Sequence, residues 1–381
     1  MMEIGVGQID RRRWLGLTLG GLASSAWVAN GNEEPTKLIV RGGEPLNAET
    51  PVDAFKTWLT PNASFFVRSH FGPPAVGLRP WRLEIGGDAS LDLSPENLST
   101  FEQVTIPAVL QCSGNGRSKF SPVVPGVGWE RGAVGNAEWT GVRLADLLTK
   151  AGIPKGAAHV HLSGGDRPPN AKTPAFARSI PLERAMDAST IVATKMNGEP
   201  LPILHGGPMR LIVPGWTANH WIKWLRTIRL SAEEAPGFFQ RTAYRMPRTP
   251  YPPGATIPPD ELVPVTSLNV KSLIASPTDG ARCVIDKLAI QGVAWTGKGR
   301  VARVDVSIDG GEWTPAELHG PDHEGSWRLW KHEWKPTPGK HVVRSRATDS
   351  SGDVQPETTP WNKSGYLWNG IDFAAFEVVN S

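Results

Sequence analysis

Prolines divide this 381-residue chain into two parts with different patterns. Between Arg245 and Pro264 they stand at positions 247, 250, 252, 253, 258, 259 and 264. Because proline lacks a backbone N–H and fixes φ, such a run argues against a helix and favours an extended linker or strap. The whole chain holds 35 prolines and 41 glycines, so we expect many turns and few long helices. Its length favours two domains.

The part before the strap mixes helix and strand patterns. Short helices are predicted to start at Thr50-Pro51 and Ser94-Pro95, where a capping hydroxyl precedes a proline. The best predicted helix covers residues 140–151, with its leucines on one face and Gly152 at its end. A short helix at residues 181–188 accompanies strand-like runs at residues 81–85, 159–162, 209–213 and 224–230. We therefore predict an α+β domain over residues 35–245.

The part after the strap has the alternation of a β-sandwich. Residues 304–308 and 341–347 alternate apolar and polar side chains, and Asp309-Gly310-Gly311 predicts a hairpin turn. Short strands with turn signals over roughly a hundred residues are typical of an immunoglobulin-like domain. We therefore predict a proline-rich linker at residues 246–264 and a sandwich at residues 265–381.

The first residues predict export. Arg11, Arg12 and Arg13 precede an apolar run from Trp14 to Ala29, which is short for a bilayer span and rich in glycine and serine. This pattern is typical of a twin-arginine signal peptide, here residues 1–29, with an N-terminal membrane anchor or a surface helix as the alternatives. Cleavage after Ala26 or Ala29 is equally compatible with the sequence. We expect a periplasmic protein with no stable membrane span after processing.

The charge balance argues against nucleic acid as a partner. The formal net charge is +3, and no basic run follows the predicted signal peptide. Two cysteines cannot supply a four-cysteine iron–sulfur site, and no C-x-x-C-H haem motif is present in the sequence. Any haem or cluster partner must therefore be another chain.

Cys112 lies in a loop with the composition of a ligand site. Ser113-Gly114-Asn115-Gly116 follows it, so the backbone can turn sharply or approach a ligand closely. Arg117 and Lys119 favour a thiolate, which is a soft ligand suited to a transition metal. A buried structural thiol and a disulfide with Cys283 are the alternatives. The strand-like apolar neighbours of Cys283 favour an inert core thiol.

Three further segments combine basic residues with glycine, proline or tryptophan. They cover residues 64–74, 205–215 and 219–225. Arginine, histidine and lysine on loops suit an anionic ligand, because charge-assisted hydrogen bonds to phosphate are strong. Each segment alone is more often a solvated loop, so the prediction rests on their combination.

Together and in this order, these segments resemble the sulfite oxidase family of molybdenum enzymes, over most of the chain after the signal. The cysteine motif of that family is matched by Cys112, Gly114, Asn115 and Arg117. Further matches are Phe65-Phe66 with Arg68 and His70, His205 through Gly215, Ile222-Lys223-Trp224-Leu225, Asp166, the region of Trp129 and residues 136–141, and Trp361-Asn362 with Gly365. The resemblance implies a mixed α/β molybdopterin domain followed by a dimerisation domain.

The resemblance also implies a site. Molybdenum would be bound by Cys112 and by a single molybdopterin. The cofactor would be held by Arg68, Ser69, His70, Cys112, Asp166, His205, Arg210, Trp221, Ile222 and Lys223. Arg68 and Arg117 would flank the open face of the metal as catalytic residues and attract a small sulfite-like oxyanion. In such enzymes the cofactor carries the chemistry, and the protein orients it.

The activity that the resemblance implies is the oxidation of sulfite to sulfate. Electrons would pass to an external acceptor of the cytochrome c type, and the sandwich would allow a homodimer. The implied enzyme is a periplasmic molybdopterin-dependent oxidoreductase of the sulfite dehydrogenase type.

One position departs from the family. Sulfite-oxidising members carry a tyrosine in Ala-Tyr-x-x-Asn-Gly, whereas the aligned run from Ala193 to Gly198 has Thr194. Tyr244, Tyr251 and Tyr366 are the tyrosines of this chain, and one of them would have to reach the site from elsewhere. The alternatives are a sulfane dehydrogenase-like or sulfoxide-reducing member, or an exported binding protein whose site has decayed. For Trp129, the sequence favours a place in the pocket wall and a packing role in the core equally.

Overall fold

The structure is a computed structural model that describes residues 37–75, 80–284 and 288–380. The described residues belong to one compact unit, Pro35–Ser381. The predicted signal peptide lies outside the described residues and stays a prediction. No helix of the described ranges is long and apolar enough to cross a membrane.

The N-terminal part consists of short strands and short helices. Its strands are β1 (Ile39–Gly42), β2 (Asn47–Glu49), β3 (Leu83–Gly86), β4 (Leu91–Leu93), β5 (Val104–Gln111), β6 (Val134–Arg143), β7 (His159–Gly164), β8 (Ala177–Pro181), β9 (Ile191–Met196), β10 (Glu199–Pro200), β11 (Arg210–Ile212), β12 (Leu225–Ser231), β13 (Arg245–Pro247) and β14 (Leu262–Pro264). Its α-helices are α1 (Pro95–Leu98), α2 (Leu144–Ala151), α3 (Leu182–Ala185) and α4 (Phe238–Arg241). Turns of 3₁₀ helix occur at Val52–Lys56, Asn62–Ser64, Arg117–Lys119, Ile203–His205, Ala218–His220 and Pro259–Glu261.

Two five-stranded sheets organise this part. One has the order β10-β9-β6-β5, with β11 also paired to β9, and the other has the order β4-β3-β12-β7-β8. Strand β12 is parallel to β3 and antiparallel to β7. The apolar face of α2 joins the core between these elements. Sheets of mixed direction with few helices match the predicted α+β class.

The start of the best predicted helix is wrong. Residues 140–143 belong to β6, and α2 begins only at Leu144. Thr140 and Val142 are β-branched and favour a strand, and Gly141 pairs closely with β9. A Cβ on Gly141 would lie 2.0 Å from the carbonyl oxygen of Val192, so this contact requires glycine. The predicted end is confirmed, because Gly152 follows α2 with φ of +76°.

The two predicted helix starts have different outcomes. Ser94 caps α1 in a reciprocal capping box with Asn97, which confirms that prediction. Thr50 instead precedes the 3₁₀ turn Val52–Lys56, and its hydroxyl accepts a hydrogen bond from the backbone N–H of Phe66. Thr50 therefore fixes the segment that leads to Arg68.

The strap is extended over most of its length, as predicted. Its two ends pair with each other, because β13 is antiparallel to β14. The 3₁₀ turn Pro259–Glu261 precedes β14. Since Pro35–Ser381 forms one compact unit, the domain boundaries at 245 and 264 stay predictions.

The C-terminal part is the predicted sandwich. Its strands are β15 (Lys271–Ser276), β16 (Arg282–Val284), β17 (Leu288–Trp295), β18 (Val301–Ile308), β19 (Thr314–Pro315), β20 (Glu317–His319), β21 (Arg328–Trp334), β22 (Gly339–Asp349) and β23 (Asp372–Val379). The sheets have the orders β15-β17-β21-β20 and β16-β23-β22-β18-β19. Asp309 and Gly310 have φ of 52° and 74°, which confirms the hairpin turn between β18 and β19. The immunoglobulin-like assignment stays a prediction.

The sandwich packs on the N-terminal part through specific polar contacts. Arg131 and Asp372 form a buried ion pair of 2.9 Å, and Asp372 also accepts a hydrogen bond of 2.8 Å from the backbone N–H of Ile274. The indole N–H of Trp295 donates to the side-chain oxygen of Gln111 at 2.8 Å. Gln111 is the last residue of β5, so the sandwich fixes the point at which the chain enters the Cys112 loop.

Gly132 gives a testable prediction about packing within the N-terminal part. A Cβ there would lie 2.2 Å from the carbonyl oxygen of Thr50, which is backbone and cannot move aside as a flexible side chain would. We expect Gly132→Ala to lower the free energy of unfolding by about 2 kcal/mol, as overpacking usually does. Chemical denaturation followed by tryptophan fluorescence measures this loss. Gly128→Ala is the matched control, since a Cβ there meets nothing within 4 Å. An equal loss in both variants contradicts the crowding argument.

Candidate functional site

A cavity lies at the end of β5, where the chain leaves the sheet at Cys112. Its empty space is about 690 Å³, a volume that includes the part open to solvent. Its walls combine residues from several distant segments of the N-terminal part: Phe66, Arg68, Ser69, His70, Leu110, Cys112, Ser113, Asp166, Phe176, Leu204, His205, Arg210, Ala218, Asn219, Trp221, Lys223, Trp224 and Tyr244.

Cys112 presents a free thiol to this cavity and is 7% exposed. Its backbone is fixed at both sides, because its N–H donates to the carbonyl of Ala133 and its carbonyl accepts from the N–H of Asn115, each at 2.9 Å. Cys283 lies on β16 in the sandwich and is also free. The two cysteines do not form the disulfide that was one alternative.

Arg68 and Ser69 line the cavity and closely follow Phe66, whose backbone N–H is held by the hydroxyl of Thr50. One guanidinium nitrogen of Arg68 donates to the side-chain oxygen of Asn47 at 3.1 Å and to the carbonyl of Ser69. The hydroxyl of Ser69 accepts a hydrogen bond of 2.7 Å from the ammonium group of Lys223. These bonds hold Arg68 half-buried at the wall of the cavity.

His70 and Tyr244 form a hydrogen-bonded pair. The hydroxyl of Tyr244 lies 2.7 Å from Nε2 of His70, and the imidazole stacks on Phe176 with ring centroids 4.4 Å apart. Burial, with Arg68 and Lys223 nearby, lowers the pKa of His70 to about 2. Burial raises the pKa of Tyr244. Both groups are therefore neutral, and the phenol O–H of Tyr244 donates a hydrogen bond to Nε2 of the imidazole.

His205 and Arg210 come from another segment of the cavity wall. The Nε2 atom of His205 is 3.0 Å from the carbonyl oxygen of Asn62, and burial lowers the pKa of His205 to about 4. Arg210 donates to the carbonyls of His205 and Trp221 at 2.7 and 3.1 Å. Its guanidinium carbon lies 5.0 Å from the ring centroid of Trp139. Burial lowers the pKa of Arg210 to about 9.

Lys223 and Asp166 complete the charged groups of the cavity. The ammonium group of Lys223 also donates to the carbonyl of Leu204 at 3.0 Å. Burial, with repulsion from Arg210, lowers the pKa of Lys223 well below its ordinary value. Burial raises the pKa of Asp166 to about 6. An anion among these groups would oppose the downward shifts of the bases, since it favours their charged forms.

Most residues predicted from the sequence meet in this cavity. Those in its walls are Arg68, Ser69, His70, Cys112, Asp166, His205, Arg210, Trp221 and Lys223. Ile222 is not in the wall, and its backbone N–H donates to the carbonyl of His220. The roles assigned to these residues stay predictions.

Arg117 lies behind the Cys112 loop and does not line the cavity. Its side chain donates to the carbonyls of Ser364 and Val127 at 3.1 and 3.0 Å. Its guanidinium carbon is 5.7 Å from the ring centroid of Tyr366. Its predicted catalytic role stays a prediction, and its contacts connect the loop to the sandwich.

The position predicted for the active-site tyrosine is wrong. Thr194 lies on β9, where its carbonyl accepts a hydrogen bond from the N–H of Leu201, and it does not line the cavity. Tyr244, at the start of the strap, places a phenol in the wall instead. No local motif marks Tyr244 in the sequence. Only its scarcity, as one of three tyrosines, made it a candidate.

The structure also places residues that the sequence left open or did not mark. Trp129 is fully buried in the core and does not line the cavity, so it packs. Phe176 and Asn219 line the cavity without having been predicted. The side-chain nitrogen of Asn219 and the hydroxyl of Ser113 are buried and have no hydrogen-bond partner among the described residues.

Comparison with known families agrees with this geometry. Residues 70–239 match the oxidoreductase molybdopterin binding domain, and residues 263–371 match the Mo-co oxidoreductase dimerisation domain. Among solved structures, the sulfane dehydrogenase SoxCD from Paracoccus pantotrophus superposes with a TM-score of 0.78 at 27% identity, covering 94% of this chain and 96% of that chain. The predicted fold class is thereby confirmed.

Curated relatives with similar sequences include sulfite oxidases. Sulfite oxidase from Arabidopsis thaliana is 34% identical over 372 residues, which cover 88% of this chain and 93% of the relative. Sulfite oxidase from Gallus gallus is 36% identical, covering 87% of this chain and 76% of the relative. The mitochondrial sulfite oxidase of Mus musculus is 38% identical and covers 90% of this chain. The chain spans 66% of the length of that enzyme and 64% of the human one.

These matches confirm the predicted molybdenum–molybdopterin cofactor and the predicted enzyme class. The relatives named above align over 87–90% of this chain. The molybdopterin-domain match includes the cavity residues other than Phe66, Arg68, Ser69 and Tyr244. The chain belongs to the sulfite oxidase family of molybdopterin-binding oxidoreductases.

Proposed function

We propose that this protein oxidises sulfite to sulfate and passes the electrons to an external acceptor of the cytochrome c type. The observation that carries the proposal is the free thiol of Cys112 in a cavity shared with Arg68 and the Tyr244–His70 pair. A soft metal ligand, a cation and a phenol in one wall suit a metal that acts on a small oxyanion.

The residues present fit a molybdopterin. Arg210 and Lys223 are bonded to carbonyl oxygens and to a serine hydroxyl, so each retains charge for an anion. The side-chain nitrogen of Asn219 is buried and lacks a partner among the described residues. His205, Arg210 and Lys223 would hold the phosphate of the pterin, and Cys112 would bind the metal.

When bound, the cofactor supplies a two-electron redox centre and the oxygen that sulfite gains. Arg68 draws the anion into the cavity and orients it by charge-assisted hydrogen bonds. Tyr244 keeps its proton and donates a hydrogen bond to Nε2 of His70, which fixes the phenol oxygen at one place in the wall. The aromatic ring of Phe176 covers His70 and excludes water from that side.

Export and assembly belong to the same proposal. Arg11 to Arg13 and the apolar run after them support a twin-arginine signal and a periplasmic location. The dimerisation-domain match supports a homodimer. The absence of a C-x-x-C-H motif from the sequence supports a separate haem protein as acceptor.

A sulfane dehydrogenase-like activity is the second candidate. The similarity to sulfane dehydrogenase SoxCD favours it. The alternative of a decayed binding protein was based on Thr194 in place of a tyrosine. It is no longer supported, because Tyr244 supplies a phenol to the cavity from another segment.

Replacing the thiol tests the proposal directly. We expect the loaded wild-type protein to show a thiolate-to-molybdenum absorption band that bleaches with sulfite. Cys112→Ser should lose this band and at least 99% of turnover, about the hundredfold loss or more seen when a catalytic group is removed. Its thermal unfolding should stay unchanged. Visible spectroscopy and a dye-coupled assay measure both effects.

The control is Cys283→Ser, since this thiol lies in the sandwich and outside the cavity. Bleaching by a sulfane donor but not by sulfite would favour the second candidate. Full turnover by Cys112→Ser would refute the ligand assignment.

Lys223 gives a prediction about cofactor retention. Lys223→Met removes one cation from the proposed phosphate site, so we expect the affinity for the pterin to fall by about 10- to 100-fold, as for one lost charge-assisted hydrogen bond. Molybdenum and pterin per chain, measured by mass spectrometry and by pterin fluorescence, report the loss. The exposed Lys155→Met is the matched control. Equal cofactor content in both variants would argue against the phosphate site.

The buried histidines predict that the cofactor-free protein loses stability in acid. Burial lowers the pKa of His70 to about 2, that of His205 to about 4 and that of His220 well below its ordinary value. Below pH 6.5 the unfolded chain takes up protons that the folded chain refuses. Stability present above pH 6.5 is therefore lost as the pH falls, by about 1.4 kcal/mol per pH unit for each such histidine.

Chemical denaturation of the cofactor-free protein at pH 7, 6 and 5 measures the slope of the free energy of unfolding against pH. His70→Gln should make this slope shallower by the contribution of one histidine, about 1.4 kcal/mol per pH unit. His323→Gln, at an exposed position, controls for the substitution itself. A slope that is the same in wild type and His70→Gln would contradict the assignment.

A further inference from the structure

We infer that Tyr366 of the sandwich is a positioning residue of the cavity, which holds Tyr244 on one side and Arg117 on the other. Tyr366 does not line the cavity itself. It contacts two residues of the N-terminal part that sit beside the cavity and behind the Cys112 loop. The kinetic part of this inference rests on the proposed function, whereas its structural part does not.

The segment that carries Tyr366 is fixed from within the sandwich. Asn362 brackets Tyr366, because its side chain donates to the carbonyl of Tyr366 and accepts from its N–H, each at 2.9 Å. Leu367 has φ of +57°, and its carbonyl accepts a hydrogen bond of 3.1 Å from Asn269. This segment therefore presents the ring of Tyr366 in one orientation.

Tyr244 depends on this ring from one side. Its φ is +56°, a conformation that costs free energy for an aromatic residue and persists only where neighbours enforce it. The N–H of Tyr244 donates to the hydroxyl of Tyr366 at 3.4 Å. The two rings stack with centroids 5.6 Å apart and an interplanar angle of 15°. Tyr366 thus supplies both the acceptor and the packing surface that keep Tyr244 pointing into the cavity.

The Cys112 loop depends on the same segment from the other side. The N–H of Leu367 donates to the carbonyl of Ser113 at 2.8 Å, and the carbonyl of Ser364 accepts from Arg117 at 3.1 Å. The guanidinium of Arg117 faces the ring of Tyr366 at 5.7 Å. A Cβ on Gly116 would lie 2.7 Å from the ring of Trp368, so the loop and the sandwich meet without spare room.

Two substitutions separate the functions of hydroxyl and ring. Tyr366→Phe keeps the ring and removes the acceptor of the Tyr244 N–H. Tyr366→Leu removes the ring as well and frees the guanidinium of Arg117. Tyr251→Phe is the matched control, because Tyr251 lies in the strap and outside the cavity wall.

Hydrogen exchange of the loaded enzyme tests the structural part. In Tyr366→Phe the amide of Tyr244 should exchange about fivefold faster, the effect expected for the loss of one neutral hydrogen bond. The amide of Val265, which donates to the carbonyl of Tyr244, should keep its rate. Mass spectrometry with fragmentation of the peptide around Tyr244 resolves these amides.

Steady-state kinetics with sulfite test the functional part. Tyr366→Phe should lower kcat about tenfold at nearly constant KM, since a small displacement of a reacting group is costly. Tyr366→Leu should also raise KM about tenfold, because Arg117, which joins the Cys112 loop to the sandwich, loses the ring that faces it and the loop is held less firmly. Molybdenum content and the visible spectrum should match the wild type in all variants.

Each outcome decides the inference. Wild-type exchange at Tyr244 in Tyr366→Phe would overturn it, and so would faster exchange with wild-type kcat and KM in both variants. If the wild-type enzyme does not oxidise sulfite, the proposed function fails. The exchange rates and the kinetics with the substrate that the enzyme does turn over then decide the role of Tyr366.

Discussion

Arg210 and Lys223 are buried in the wall of one cavity with carbonyl oxygens and a hydroxyl as hydrogen-bond partners. Burying an ion costs several kcal/mol unless its surroundings replace water. Here the replacement comes from backbone dipoles and from the faces of Trp139 and Trp224. These partners satisfy the donors without neutralising the charge. The N-terminal part therefore folds around two buried cations, and their burial lowers the pKa of Arg210 and the pKa of Lys223.

The thiol is placed by sheet structure, whereas the phenol is placed by packing. Cys112 follows the last residue of β5, a strand paired along its whole length with β6, so its position comes from the register of a sheet. Tyr244 follows α4 and adopts a positive φ, and its position depends on His70, Phe176 and Tyr366. Because the supports differ, the thiol and the phenol respond to different substitutions. The sandwich reaches both, through Gln111 and through Tyr366.

The family match gives these contacts their context. A molybdopterin-binding domain and a dimerisation domain are joined in one chain, and the second is in contact with the Cys112 loop. The Arg131–Asp372 ion pair and the Trp295–Gln111 hydrogen bond hold the two parts in register. A domain recognised for assembly thus also supports the geometry of the cavity.

The sequence by itself determined four of the segments that build the cavity, because glycines, basic residues and a rare cysteine recur there in a specific order. It also determined the sandwich and the strap, through alternation and proline content. It placed Thr140–Arg143 in a helix, since helical periodicity does not report that Gly141 approaches β9. The choice of Tyr244 over Thr194, the placement of Arg117 behind the loop and the part played by Tyr366 were decided only by the tertiary structure. Those contacts join residues more than a hundred positions apart, and no local pattern records which side chains such a fold brings together.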